Sequence, residues 1–102
     1  MGFTGNEGTF LKSNNAATLT AAWRSANPSA VQAEFFGITN INTILNQSGC
    51  VGLRIYLGLD SSGNIQLVLC GATSNENDML NYILDTGVPC PTQCGAANVL
   101  NS

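Results

Sequence analysis

The sequence predicts an α+β fold, in which a small, mostly antiparallel sheet with a central β-hairpin (about 50–60 and 64–73) packs against two to three short helices. Two apolar patterns at helical spacing precede the hairpin, and two strand-like runs flank a short turn sequence. A chain of 102 residues is long enough for one modest core. We therefore expect a single domain over 1–102, with an irregular arm at 1–12 and an irregular Cys-containing tail at 88–102.

The first part of the chain predicts two helices with a strand between them. The segment "SNNAATLTAAWRSANP" begins with polar residues that can cap a helix, and Pro28 ends it. Trp23 lies on its apolar face and is expected to anchor the core. The segment "AVQAEFFG" alternates like a strand, and "TNINTILNQSG" has a cap, an apolar stripe and a final glycine, as a second helix does.

The hairpin is the clearest element of the chain. Asp60 and Gly63 occupy the first and last positions favoured in a type I turn, and Gly63 suits the bulge that follows such a turn. This turn places the apolar odd-numbered residues of both strands on one face. The other face is mixed rather than polar, which indicates that something covers it. The predicted partners are Asp60 with Asn64, Leu59 with Ile65, Leu57 with Leu67, Ile55 with Leu69, and Leu53 with Gly71.

A third helix is predicted after the hairpin. In "NENDMLNYIL", Leu80, Ile83 and Leu84 recur at helical spacing and are expected to face inward. Gly87 then ends the helix. The order of elements is therefore α-β-α-β-β-(α)-tail.

The charged residues argue against an enzyme. The chain has no histidine, three basic residues and six acidic residues, and only 9% of it is charged, against about 25% in ordinary soluble domains. Acid–base catalysis and phosphate recognition draw on these residue types. We expect no catalytic residues, no cofactor and no metal, and the absence of a basic cluster predicts no nucleic-acid partner.

The chain shows no targeting or membrane signal. Its start, "MGFTGNEGTF", lacks the basic and apolar regions of a signal peptide. No apolar run approaches the ~20 residues of a membrane span, so membrane insertion is not expected. The localisation stays open between the cytoplasm and export by a route that the sequence does not show.

Four cysteines carry the remaining chemistry, and the hairpin register constrains them. Cys50 and Cys70 lie about four positions apart along the ladder, roughly 13 Å, which is too far for a disulfide. Cys90 can bond to Cys94, or either can reach Cys50 and pin the tail to the sheet. The pattern is also compatible with reduced thiols and with a zinc site, although the usual zinc spacings are absent.

Several segments together resemble a known family. The stretch "GCVGLRIYLGLDSSGNIQLVLCGATSNENDM" is followed by "PCPTQCG" and by "NVLNS". These segments resemble a family of small uncharacterised proteins from Bacteroidota with GCxGxRxY and CPxxCG segments. The resemblance covers essentially the whole chain and implies an intact, natural, full-length fold.

The resemblance also bears on individual residues. It implies that three cysteines, Cys50, Cys90 and Cys94, belong to the family pattern. Cys70 departs from that pattern, since a valine usually stands there, and it is expected to be a small buried residue. Glu34 stands where relatives often have histidine, so no histidine-based function is implied for this chain.

The first functional hypothesis is a non-enzymatic structural protein that self-associates, such as the repeating subunit of a filament or larger assembly. A weakly charged surface resists association poorly, and an arm or tail can dock on a neighbour as an added strand. The expected partner is a second copy of the chain. The candidate assembly residues are Phe3, Phe10, Tyr56, Val99 and Leu100.

Two further hypotheses belong to different functional classes. One is a monomeric module that binds a small molecule or a metal, using the Cys-pinned tail. The other is a thiol-based redox protein, which needs a lowered thiol pKa at Cys90 or Cys94.

Overall fold

A computed structural model describes residues 2–102 and shows the predicted α+β fold. The chain forms two compact units. Unit 1 consists of the chain up to Gly8 together with Phe36–Gly87, and unit 2 of Thr9–Phe35 together with Val88–Ser102. The elements are α1 (Ser13–Ala26), β1 (Ala33–Phe35), α2 (Ile38–Leu45), β2 (Cys50–Leu59), β3 (Ile65–Thr73), β4 (Asp78–Leu84) and β5 (Val88–Cys90).

Unit 1 is built on an antiparallel sheet in the order β2-β3-β4. The predicted hairpin register is confirmed, from Leu59 opposite Ile65 to Leu53 opposite Gly71. Asp60 fixes the turn, because one oxygen of its carboxylate accepts hydrogen bonds from the backbone N–H groups of Ser62 and Asn64, each at 2.9 Å. We call the face with the odd-numbered residues of β2 and β3 the odd face, and the opposite one the even face.

The predicted third helix is wrong, because its residues form β4. The chain reverses in a tight turn, where the Thr73 N–H donates to the Asn77 carbonyl and the Glu76 N–H donates to the Thr73 carbonyl, both at 2.9 Å. Glu76 has a φ of 71° in this turn. The following residues therefore return beside β3, with Asp78 opposite Ala72, and pairing with β3 outweighs the local helical pattern.

Helix α2 packs on the odd face at the Gly71 end of the hairpin. Ile44 is the most buried side chain described, at 2% exposure. A Cβ atom at Gly71 would lie 2.8 Å from the sulfur of Cys50 and 3.4 Å from Cγ2 of Ile44. Because Gly71 has no side chain, Ile44 of α2 and the sulfur of Cys50 can both lie close to β3 at this position. The other buried apolar residues of unit 1 are Leu69, Cys70 and Ala72.

Unit 2 contains α1 and a short antiparallel pair, in which β1 runs from Ala33 opposite Cys90 to Phe35 opposite Val88. The expectation that Trp23 anchors a core is wrong, since it is 37% exposed and α1 has no buried residue. Strands of three residues offer no broad apolar face for a helix to cover. The indole N–H of Trp23 instead donates to the carbonyl of Val31 at 2.9 Å.

The tail, predicted to be irregular, begins with a strand. Its first residues form β5, and Arg24 of α1 donates hydrogen bonds to the carbonyls of Leu100 at 2.6 Å and Ser102 at 3.2 Å. Among residues 2–102, no helix has the length and apolar character to cross a membrane.

Candidate functional site

A polar cluster joins the two outer strands of the unit 1 sheet on the even face. Arg54 of β2 and Asp78 of β4 form an ion pair at 2.7 Å. The hydroxyl of Tyr56 donates to the other carboxylate oxygen of Asp78, and Arg54 also donates to the carbonyl of Glu76 at 3.1 Å. Residues two apart on a strand share a face, which is why Arg54 and Tyr56 reach the same carboxylate.

The electrostatics of this cluster favour its charged form. The hydrogen bond from Tyr56, followed by those from Arg54, lowers the pKa of Asp78 below its ordinary value. The same hydrogen bond raises the pKa of Tyr56, and the carboxylate of Asp78 raises that of Arg54. At neutral pH the cluster holds one carboxylate, one guanidinium and a neutral phenol, which suits it to fastening strands rather than to moving protons.

Of the two free thiols, that of Cys70 is poorly placed for redox chemistry. Cys70 is 3% exposed, and burial, with a contribution from Asp78, raises the pKa of its thiol. A raised pKa suppresses the reactive thiolate. The Cys50 thiol donates to the carbonyl of Gly52 at 3.3 Å. Within residues 2–102, no group of three or more Cys, Asp or Glu side chains is arranged to hold a metal ion.

Of the three disulfide candidates, the structure joins Cys90 to Cys94, with their Cα atoms 4.8 Å apart. Cys50 stays free, so the alternative in which it bonds to Cys90 or Cys94 is not the one present. Its sulfur is held against Gly71, on the side of the sheet where α2 packs. The disulfide instead closes a short loop directly after β5.

The N-terminal residues lie on the sheet of unit 1, and we call residues 2–8 the docked segment. The Phe3 N–H donates to the carbonyl of Ser74 at 2.9 Å, and the Phe3 ring lies 5.2 Å from the guanidinium carbon of Arg54. Between this segment and β2 lies an open cleft of about 350 Å³, which Glu7 also lines. The docked segment therefore covers the even face at Arg54, while Tyr56 on the same face stays 46% exposed.

The β2 side of the odd face extends beyond helix α2 and is exposed there, whereas the β3 residues Ile65 and Leu67 beside it are half-buried. Helix α2 has eight residues and is about 12 Å long, whereas the ten residues of β2 extend about 33 Å. The helix covers the Gly71 end, and three side chains of β2 project beyond it. Ile55 is 55% exposed, Leu57 80% and Leu59 73%.

The candidate assembly residues fall into two groups. Phe3 and Tyr56 come together around Arg54 on the even face of unit 1. Phe10, Val99 and Leu100 belong to unit 2, where they are 105%, 51% and 48% exposed.

Sequence reasoning missed Ile55, Leu57 and Leu59 as surface residues. Their odd-numbered alternation was the available signal, and it predicts a shared face without saying what covers it. Only the lengths of α2 and β2 show that this face extends beyond the helix.

Comparison of the chain with protein-family models, with curated proteins and with solved structures finds no match.

Proposed function

We propose that this chain is a non-enzymatic structural protein that self-associates, and that it serves as the repeating subunit of a filament or larger assembly. The observation that carries the proposal is the exposed β2 side of the odd face at the far end of the hairpin. Ile55, Leu57 and Leu59 form a continuous apolar row along one strand there. Rows of this kind on a soluble chain mark interaction surfaces.

Exposed apolar residues support the same conclusion, since many large apolar side chains of the described residues are exposed.

Burial of the apolar row releases a free energy comparable with the cost of association. A fully buried Leu or Ile contributes about 1.5–3 kcal/mol, so three side chains that are more than half exposed contribute roughly 3–6 kcal/mol per copy. Two copies reach roughly 6–12 kcal/mol, against an association cost of about 4–15 kcal/mol. The row thus supports association but needs further contacts for a tight complex.

The edge of the sheet supplies such contacts. Strand β2 lies at one edge of the sheet, so its outer backbone groups face away from β3. It is ten residues long and contains no proline, and such an edge readily accepts a further strand. A second copy that adds its own β2 there would bring the two apolar rows side by side.

A small-molecule binding module is the alternative that one observation favours. The cleft of about 350 Å³ beside Arg54 lies within the usual size range of ligand sites. Its lining joins a cation, Arg54, to the carboxylate of Glu7, so it would suit a small zwitterion.

Sedimentation velocity over a concentration series, with native mass spectrometry of the same samples, tests the proposal. We expect species larger than the monomer for the unmodified chain and their loss in Leu57→Asp. Leu19→Asp is the matched control, since Leu19 is 64% exposed but lies on α1 of unit 2. A monomer at every concentration overturns the proposal, and a bound small mass on that monomer supports the binding module.

A further inference from the structure

We infer that the docked segment, residues 2–8, is exchanged between copies, so that the segment of one chain occupies the even face of the next chain. This inference rests on the proposed self-association and names the segment that performs it. Exchange of an identical element is a low-cost route to assembly, because each contact made within a chain is remade between chains. Three features of the segment support it.

The first feature is that the segment holds its own shape. The carboxylate of Glu7 accepts hydrogen bonds from the backbone N–H groups of Thr4 at 2.8 Å and Gly5 at 2.9 Å, and from the Thr4 hydroxyl at 3.1 Å. These bonds lie within residues 4–7, so they survive when the segment leaves its sheet. A segment that keeps its conformation loses less entropy when it binds a second copy.

The second feature is the small set of contacts that the segment makes with its sheet. The Phe3 N–H reaches the carbonyl of Ser74, and the Phe3 ring covers Arg54. Gly2 has no room for a side chain, because a Cβ atom there would meet the carbonyl oxygen of Ser74. These are backbone and ring contacts that the same residues of a second copy can make unchanged.

The third feature is the connection to α1. Among residues 2–102, no hydrogen bond involves Thr9, Phe10 or Leu11. Phe10 is 105% exposed and Leu11 54% exposed. The segment can therefore leave its sheet without breaking a hydrogen bond of these three residues. Exchange also brings a second chain close to the ring of Phe10, which is fully exposed in its own chain.

The geometry of such an exchange extends the assembly. Each chain gives one segment and receives one, so donor and acceptor are different surfaces of the molecule. Reciprocal exchange between two chains closes a dimer, whereas a segment that each chain gives to the next one produces a ring or an open filament. The exchange inferred here is of the second kind, in which donor and acceptor belong to successive chains. Exchange at the even face and pairing at the β2 edge would therefore act together, since they use different parts of unit 1.

A photo-crosslink tests the exchange. Phe3 is replaced by p-benzoylphenylalanine, which places a benzophenone where the Phe3 ring meets Arg54. Equal amounts of chain with natural nitrogen and with ¹⁵N are unfolded together, refolded, allowed to assemble and irradiated. The peptides that join residue 3 to β2 are then read by mass spectrometry, and the same sample is sized by sedimentation.

We expect about half of the joined peptides to carry one light and one heavy partner, because segments drawn at random from equal pools pair in that way. Joined peptides of a single isotope, in a sample that sediments as an assembly, overturn the exchange and leave self-association standing. A sample that sediments only as monomer overturns both.

Two further measurements do not use the chain with the photo-crosslinker, so a folding defect of that chain does not affect them. Gly2→Ala blocks the seat of the segment at Ser74, and we expect it to remove the large species. Gly37→Ala is its control, because a Cβ atom at Gly37 meets nothing within 4 Å. A synthetic peptide of residues 2–8 is expected to shorten assemblies of the unmodified chain, and no effect at saturating peptide counts against the exchange.

Discussion

The guanidinium of Arg54 and the carboxylate of Asp78 meet at 2.7 Å, although they come from the two outer strands of a three-stranded sheet. The strand between them contributes Cys70, which pairs with Arg54 in the ladder and is buried. An isolated surface ion pair stabilises a fold little. Here the Tyr56 hydroxyl also bonds to Asp78, so three side chains fasten β4 across β3 to β2.

Acid should loosen this fastening. The pKa of Asp78 is lowered in the folded state, so its stabilising effect is present above its unfolded pKa of about 3.9 and is lost as the pH falls through the lower folded value. We expect Asp78→Asn to be less stable than the unmodified chain at pH 7, with the difference shrinking steadily below about pH 4. Urea unfolding midpoints measured from pH 7 down to pH 2 report it. The control is Asp85→Asn, since among residues 2–102 the Asp85 carboxylate accepts a side-chain hydrogen bond only from its neighbour Thr86. Parallel pH profiles for Asp78→Asn and the unmodified chain would refute this account.

The core of unit 1 should depend on one helical side chain. Ile44 is 2% exposed, so Ile44→Ala removes buried methyl groups and leaves a cavity. We expect a loss of about 2–4 kcal/mol in the free energy of unfolding. Ile38→Ala in the same helix is the matched control, because Ile38 is 74% exposed, and its loss should stay below about 0.5 kcal/mol. Equal losses for the two variants would mean that α2 does not pack as described.

Gly71 should tolerate no side chain while Cys50 is present. A Cβ atom there would lie 2.8 Å from the Cys50 sulfur, and such overpacking typically costs about 1–3 kcal/mol. We expect Gly71→Ala to destabilise the chain, and the added change Cys50→Ala to restore part of the loss because it removes the nearest atom. Gly52→Ala is the control, since a Cβ atom there meets nothing within 4 Å. A double variant less stable than the sum of the two single changes would contradict this packing.

The disulfide should stabilise unit 2 modestly. Cys90 and Cys94 are only four residues apart, and the chain-entropy estimate for so short a loop is about 2 kcal/mol. We expect the double variant Cys90→Ala with Cys94→Ala to lose about 2 kcal/mol in the free energy of unfolding, which is seen as a lower thermal midpoint. Reductant alone should lower the midpoint of the unmodified chain to the same temperature. Reductant should then leave the double variant unchanged, because Cys50 and Cys70 are already free. If reductant leaves the thermal midpoint of the unmodified chain unchanged, the disulfide does not stabilise the fold.

The parts of the fold that could be predicted are those set by short-range chemistry. Asp60 and Gly63 define a turn, and the parity of Leu57 and Leu67 defines a face, so the hairpin register followed from two independent signals. β4 could not be predicted in this way. Leu80, Ile83 and Leu84 stand at helical spacing, and only the edge of β3 makes the segment a strand.

The candidate site was also predicted only where local sequence determines it. Parity placed Arg54 and Tyr56 on one face, but their partner Asp78 arrives through the strand that was predicted to be a helix. The uncovered row at Leu57 was likewise hidden, because its exposure depends on how far α2 extends over the sheet. Composition predicted self-association, but the assembly candidates named from the sequence did not include Leu57.

The pairing of Phe35 with Val88 has a consequence for the architecture of the gene product. These two residues are partners in the β1–β5 ladder, yet the whole of 36–87 lies between them in the chain. That portion leaves and re-enters unit 2 at adjacent points, as an inserted cassette does. A two-residue Asn-Gly turn could join Phe35 to Val88 in its place, which marks this ladder as the natural splice point for grafting, deleting or transplanting residues 36–87 with their three-stranded sheet.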